Sequence, residues 1–161
     1  MKAKVEPIPS GHHTVTPRLF IRGAAKAIEF YKQAFGAIEA KRFADPSGKI
    51  VSAEIKIGDS IISLTDEAPE WGNHSPQSLG GATAIITLNV VDADAIWNQA
   101  VSAGAKIVFP IADQFYGYRQ GRLEDPFGLL WVISTHLEDV SAEEMNRRME
   151  DWMKQQSEKG Q

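Results

Sequence analysis

Ala27-Ile28-Glu29-Phe30-Tyr31-Lys32-Gln33-Ala34-Phe35-Gly36-Ala37 and Ala95-Ile96-Trp97-Asn98-Gln99-Ala100-Val101-Ser102-Ala103-Gly104-Ala105 carry one pattern, an apolar helical run stopped by Gly-Ala. Gly36 and Gly104 lie 68 residues apart, and Ile28/Ile96, Ala37/Ala105 and Ile55/Leu123 recur at that offset. A period that long, present twice, marks two copies of one supersecondary unit. Neither half is long enough to bury a good core alone, so the copies should pair. Pairing two half-sheets makes a concave surface between them, which is where function is expected.

Working outward, each copy reads as βαβββ. In the first, residues 14–21 are β-branched and apolar and suggest a strand, interrupted by Pro17, a residue that belongs at an edge or near a strand start. The helix covers 24–35, with Ile28, Tyr31 and Phe35 on one face. Strands are expected at 38–43, 50–57 and 60–65, separated by Asp45-Pro46-Ser47-Gly48 and Gly58-Asp59. The second copy repeats the order with a strand at 84–90, a helix at 93–103 capped by Asp92, and strands at 105–111, 119–124 and 129–134. Asp125-Pro126-Phe127-Gly128 forms the last turn, and 112–118 reads as an aromatic-rich loop. The expected organisation is an arm at 1–13, one domain over 14–136 built from modules 14–66 and 82–136 with a linker at 67–81, and a tail at 137–161. The tail opens with Ser141-Ala142-Glu143-Glu144, a capping box in which serine and glutamate each satisfy a free amide. It continues with Met145, Met149, Trp152 and Met153 as one apolar stripe, expected to cover the sheet or a sister subunit.

Composition narrows the function. The 161 residues are 43% hydrophobic and 24% charged, ordinary for one globular domain. Net charge is −4 with no basic stripe, so nucleic acid is not an expected partner. The N-terminal residues lack a signal-peptide core and no apolar run approaches the ~18 residues of a membrane span, so no membrane partner and a cytoplasmic location are expected. Zero cysteines exclude disulfides, thiolate metal sites and cysteine nucleophiles. There is no Gly-x-Ser-x-Gly elbow, no phosphate-cradling glycine loop and no helical His-Glu pair, and no catalytic residue is expected.

Two βαβββ modules, the Ile28–Gly36 helix and the Asp125-Pro126-Phe127-Gly128 turn resemble the glyoxalase/bleomycin-resistance fold of the vicinal oxygen chelate superfamily. Ala53–Ser60, Ser78-Leu79-Gly80-Gly81, Ala112–Gly117 and the tail through Met145 resemble its PhnB-like branch more narrowly. The resemblance implies an α+β fold, with paired modules forming an open cup-shaped barrel, helices outside and a C-terminal helix, and it implies a homodimer. Metal-dependent members place one histidine or glutamate on each of four strands, where a divalent cation polarises vicinal substrate oxygens. Carried over by the helix and turn landmarks, those positions are Thr16, Ser63, Ile85 and Val132, none of which is a useful ligand. The adjacent positions, which a one-residue slip would turn inward, are no better. His12, His13, His74 and His136 are the remaining candidates, and of the adjacent His12 and His13 at most one could point inward from a strand.

If each strand alternates between helix-facing and groove-facing positions, Ser52, Glu54 and Lys56 share one face, as do Gln120, Arg122 and Glu124. Offset 68 then pairs Glu54 with Arg122, either as complementary charges lining a groove or as a solvated outer face. Trp71, Phe115, Tyr116 and Tyr118 fall in irregular segments beside Arg119, where they form either the lip of a pocket or a plug of ordinary core. The expected ligand-binding set is Glu54, Ser63, Trp71, Phe115, Tyr116, Tyr118, Arg119 and Arg122, with no cofactor and no metal. The leading function is a metal-independent small-molecule binding protein similar to the antibiotic-binding, antibiotic-resistance members of the superfamily, holding a planar or apolar ligand. The alternative is a metal-dependent lyase or dioxygenase with non-standard ligands.

Overall fold

A computed structural model describes residues 5–159. Residues 1–4 of the expected arm and 160–161 of the tail lie outside the described residues. The first module contains β1 (Arg18–Ile21), α1 (Ala24–Phe35), β2 (Ile38–Ala44), β3 (Ile50–Ile57) and β4 (Ser60–Asp66). A 3-10 turn (Pro69–Trp71) and a four-residue helix α2 (Pro76–Leu79) follow in the segment read as featureless linker. The second module contains β5 (Ile85–Asn89), α3 (Ala93–Ala103), β6 (Lys106–Asp113), β7 (Tyr118–Glu124) and β8 (Leu130–His136), and α4 (Ala142–Lys159) closes the chain.

The fold is α+β, as the repeat implies. Each module makes a four-stranded sheet of the same order, β1-β4-β3-β2 and β5-β8-β7-β6, with the first strand parallel to the fourth. The sheets are not closed into barrels, and among the described residues no strand of one pairs with a strand of the other. The shared periodicity has a simple cause: Gly36 and Gly104 both end their helices with positive φ, 66° and 116°, a conformation that glycine adopts without a Cβ penalty. β1 begins at Arg18 instead of residue 14, although the Pro17 carbonyl still accepts a bond from the Ser63 N–H. β6 runs on to Asp113, two residues into the expected loop, because the Asp113 backbone pairs with Arg119.

Helices hold the modules together. α1 and α3 lie against each other with Ala24, Ala27, Ala34, Ala93 and Ala100 all buried, and Gln99 donates from Nε2 to the carbonyls of Gln33 (2.8 Å) and Ala34 (3.2 Å). Phe30, Tyr31 and Phe35 of α1 then pack on Phe127 and Trp131 of the second module, with ring centroids 4.6–6.4 Å apart. Asp125, 4% exposed, sits among these rings. Its Oδ2 accepts from the Tyr31 hydroxyl (2.7 Å) and Trp131 Nε1 (2.9 Å), and its Oδ1 accepts from the amides of Phe127 (2.9 Å) and Leu129 (3.0 Å). One carboxylate therefore closes its own turn and fastens it to the helix of the other module.

α4 departs from expectation. Ser141 Oγ does accept from the Glu144 N–H (3.2 Å), but the Glu144 carboxylate turns to Arg147 and Arg148 instead of reaching back, so the capping box is half formed. The stripe does not cover a sheet, since Met149, Trp152 and Met153 are 44–59% exposed. The helix is held instead by Arg148, which bonds Glu138, Glu144 and the Phe115 carbonyl, and by Trp152 against Phe115.

Candidate functional site

Strand alternation sorts the polar residues as their period dictates. In β3, Ala53, Ile55 and Ile57 are buried toward α1, while Ser52, Glu54 and Lys56 occupy the opposite face. In β7, Gly121 and Leu123 are buried and Gln120, Arg122 and Glu124 lie on the other face. Glu54 and Arg122 thus hold equivalent places, but Glu54 is ion-paired and Arg122 meets only the Phe109 ring.

Glu54 accepts from Lys41 Nζ at 2.8 Å and lies 3.4 Å from His12 Nε2. Burial pushes its pKa up, yet the Lys41 ammonium and the His12 imidazole outweigh that and hold it below the usual carboxylate value. Such a group is an ionised partner and a poor general base. Ser63 is buried on β4, in register with Glu54 and Arg18.

The family's metal positions do not fit a cation. Thr16 and Ser63 offer only hydroxyls, and Ile85 and Val132 offer hydrocarbon. Among the described residues no group of three or more histidine, aspartate or glutamate side chains converges. The Glu54–His12 pair contributes two donors, and the Lys41 ammonium already occupies the position of a cation there. His13 lines a different cavity, and His136 stacks on Tyr118 at 4.7 Å and contacts Asp139 at 3.2 Å.

Two cavities bear on function. One, of about 540 Å³, opens at the seam between the modules. Val15, Pro17 and Ile62 line it from the first module, Ile86, Leu88 and Val90 from the second, with Phe35 and Ile96 from the two helices and His13, Asp59 and Asn89 as polar groups. Its size falls in the range of roughly 300–1,000 Å³ that holds small organic ligands, and its lining is largely apolar. None of the eight expected ligand residues lines it. Thr16, one of the positions the resemblance carried inward, does line it, as do its neighbours Val15 and Pro17, whereas Leu88 and Val90 read in sequence as ordinary strand residues.

The second cavity, about 160 Å³, lies on the sheet face of the second module between Phe109, Tyr116, Gln120, Arg122 and Val132. The Arg122 guanidinium carbon sits 5.1 Å from the centroid of the Phe109 ring. Burial raises the pKa of Tyr116 against the pull of Arg122, so its hydroxyl keeps its proton and donates to Gln120 Oε1 at 2.9 Å. Gln120 Nε2 in turn donates to Ser134 Oγ at 2.9 Å. Phe109 and Gln120 were not in the expected set. The pairing of Phe109 with Arg122 in register follows from a strand irregularity between Ile107 and Phe109 that no sequence pattern announces.

The remaining expected residues part company. Phe115 packs edge-on against Tyr116 (5.1 Å) and beneath Trp152 (5.7 Å), so it anchors α4. Tyr118 lies between Tyr116 and His136. Arg119 is occupied by Asp94 (2.6 and 2.8 Å) and Asp113 (2.8 Å), which raise its pKa further and tie α3 to the sheet. Trp71 is 81% exposed, and no ring contact joins it to the other aromatics.

Comparison with known proteins agrees with this architecture. The model of the Glyoxalase/Bleomycin resistance protein/Dioxygenase superfamily matches residues 11–133. The uncharacterized protein Mb0911c of Mycobacterium bovis is 37% identical over 152 residues, covering 92% of this chain and 96% of that protein. The solved structure of the Arabidopsis thaliana gene product At5g48480 is 29% identical, covers 76% of this chain and 98% of that one, and superposes with a TM-score of 0.61. TioX from Micromonospora sp. ML1, 24% identical with a TM-score of 0.60 over 80% of this chain and all of its own, shares the fold.

Proposed function

This chain belongs to the Glyoxalase/Bleomycin resistance protein/Dioxygenase superfamily, and within it we propose a metal-independent small-molecule binding protein that takes a planar or apolar ligand. The observation that carries this reading is the 540 Å³ apolar cavity at the seam of the two modules, in a fold whose cation positions here hold Thr16, Ser63, Ile85 and Val132. On the same reading the chain is of the PhnB-like branch, and modules 14–66 and 82–136 act as one binding unit. Of the residues singled out by sequence, we assign Tyr116 and Arg122 to ligand contact, since they line the smaller cavity on the second sheet and none of the eight lines the seam.

A homodimer belongs to this proposal. Ile38, Phe43 and Val51 on the first sheet, Ile107 on the second and Met153 on α4 are 48–68% exposed, and a second copy would cover apolar side chains of this kind. Elemental analysis of protein purified without a histidine tag tests the metal question. No stoichiometric divalent metal is expected, and one bound per chain would refute the reading in favour of a metal-dependent lyase or dioxygenase. A thermal-shift panel of planar aromatic compounds tests binding, since a ligand at about 100 times its Kd stabilises by about 2.7 kcal/mol. Sedimentation velocity reads the dimer directly.

A further inference from the structure

We propose that the ligand carries a carboxylate, and that Arg122 receives it; this rests on the small-molecule reading above and names the chemical class of its ligand. Among the described residues the Arg122 guanidinium forms no ion pair and no hydrogen bond, and its Nε is buried without any partner. A buried donor left unpaired is costly, and each one calls for an explanation. Other arginines on this chain show the contrast. Arg42, Arg119 and Arg148 each meet at least one carboxylate at 2.6–2.8 Å, yet Arg122, more enclosed at Nε, meets none.

The surroundings make Arg122 a receptor. The Phe109 ring lies 5.1 Å from the guanidinium carbon, and both residues line the 160 Å³ cavity. The neighbouring acceptor, Gln120 Oε1, already receives the Tyr116 hydroxyl, and Gln120 Nε2 donates to Ser134 Oγ, so this amide is engaged away from the arginine. A planar guanidinium edge matches the two oxygens of a carboxylate in a bidentate pair.

Strand register connects this receptor to the seam cavity. Thr87 of β5, which lines the seam, is paired with Val132 of β8, and Val132 is paired with Arg122 of β7. The three residues therefore form one row across one sheet face. Two strand spacings, roughly 10 Å, separate Thr87 from Arg122. A flat apolar body lying over Val132 toward the seam, with its carboxylate on Arg122, spans that row. The smaller cavity is below drug size and suits the anionic end alone.

Calorimetric titration of the full chain with 2-naphthoate and with its neutral isostere 2-naphthamide tests the inference. Naphthoate should bind about tenfold more tightly or better, a gap of the size a bidentate charged pair supplies. Arg122→Gln should remove that preference while leaving naphthamide affinity within about twofold, and Arg122→Lys should retain part of it because charge remains but the planar fork is lost. If Arg122→Gln does not fold, Val132→Glu asks the same question by setting a carboxylate beside the arginine in register, and it too should abolish the preference. Equal affinity for the two compounds in the unmodified chain, or a preference that survives the variant tested, overturns the carboxylate inference and leaves the binding reading standing. Failure of both compounds to bind overturns the two together.

Discussion

Replacing Asp125 with alanine tests whether one buried carboxylate fastens the two modules. Tyr31 and Trp131 are fully buried, and both direct their only side-chain donors at Asp125 Oδ2. Truncation orphans both, at about 1–3 kcal/mol each, or about 2–6 kcal/mol together. Burial pushes the Asp125 pKa up, against the bonds from Trp131, Tyr31 and the turn amides, so the ionised group is itself strained and its removal recovers part of that loss. The net cost should fall near the lower half, about 2–4 kcal/mol, a large share of a typical stability of about 5–15 kcal/mol. Urea unfolding followed by tryptophan fluorescence reads it directly, because Trp131 is in the network, and the m-value should not change. Tyr31→Phe alone should cost only about 1 kcal/mol, since Asp125 keeps three donors. In the double variant the orphaned hydroxyl is gone, so the pair should be less destabilised than the sum of the singles. A cost for Asp125→Ala below about 1 kcal/mol, or strict additivity with Tyr31→Phe, would refute the clasp.

Further outcomes follow from other sites. Because the folded pKa of Asp125 lies above its ordinary 3.8, the folded chain holds this proton longer than the unfolded one, and the group's contribution is greatest below 3.8 and declines as pH rises through the folded value. The stability deficit of Asp125→Asn relative to the parent should therefore widen in acid, and a deficit constant from pH 3 to pH 7, measured by urea titration at each pH, would contradict the assignment. Gly121→Ala should destabilise by about 1–3 kcal/mol in thermal melts, since a Cβ there overlaps the Trp97 ring and the Ile111 backbone. Its toleration would show that α3 packs less closely on β7. Arg147 and Arg148 hold the Glu144 carboxyl down to about 2 against an ordinary 4.5, so its support of α4 is complete above 4.5 and is lost as pH falls toward 2. Acidification across that window should loosen α4, seen as a loss of helical circular dichroism, and Glu144→Gln should show the weaker helical signal already at neutral pH.

Local order was legible and the site only partly so. Helix stops at Gly36 and Gly104, the N-cap at Asp92 and the turns at Asp45 and Asp125 depend on backbone chemistry within a few residues, and each stands where the sequence put it. The assignment of Glu54 and Arg122 to like faces also followed, since a period of two fixes which side a residue takes. Arg119 could not be told from Arg122 in kind. Three positions apart on one strand, they take opposite faces, and one guanidinium goes to Asp94 of α3 and Asp113 of β6 while the other stands unpaired beside Phe109. Trp71 and Phe115 looked alike as loop aromatics, yet one stands in solvent and the other lies under α4.

By itself the sequence determined the duplicated βαβββ order and the strand faces, because periodicity and capping are properties of residues and their near neighbours. Only the tertiary structure decided that the modules clasp through Tyr31, Asp125 and Trp131, that the seam between them is hollow, and that among the described residues Arg122 Nε is buried without a hydrogen-bond partner. Those are relations between residues up to 94 positions apart, and their outcome depends on which side chains reach one another first in three dimensions, a competition that no local pattern encodes.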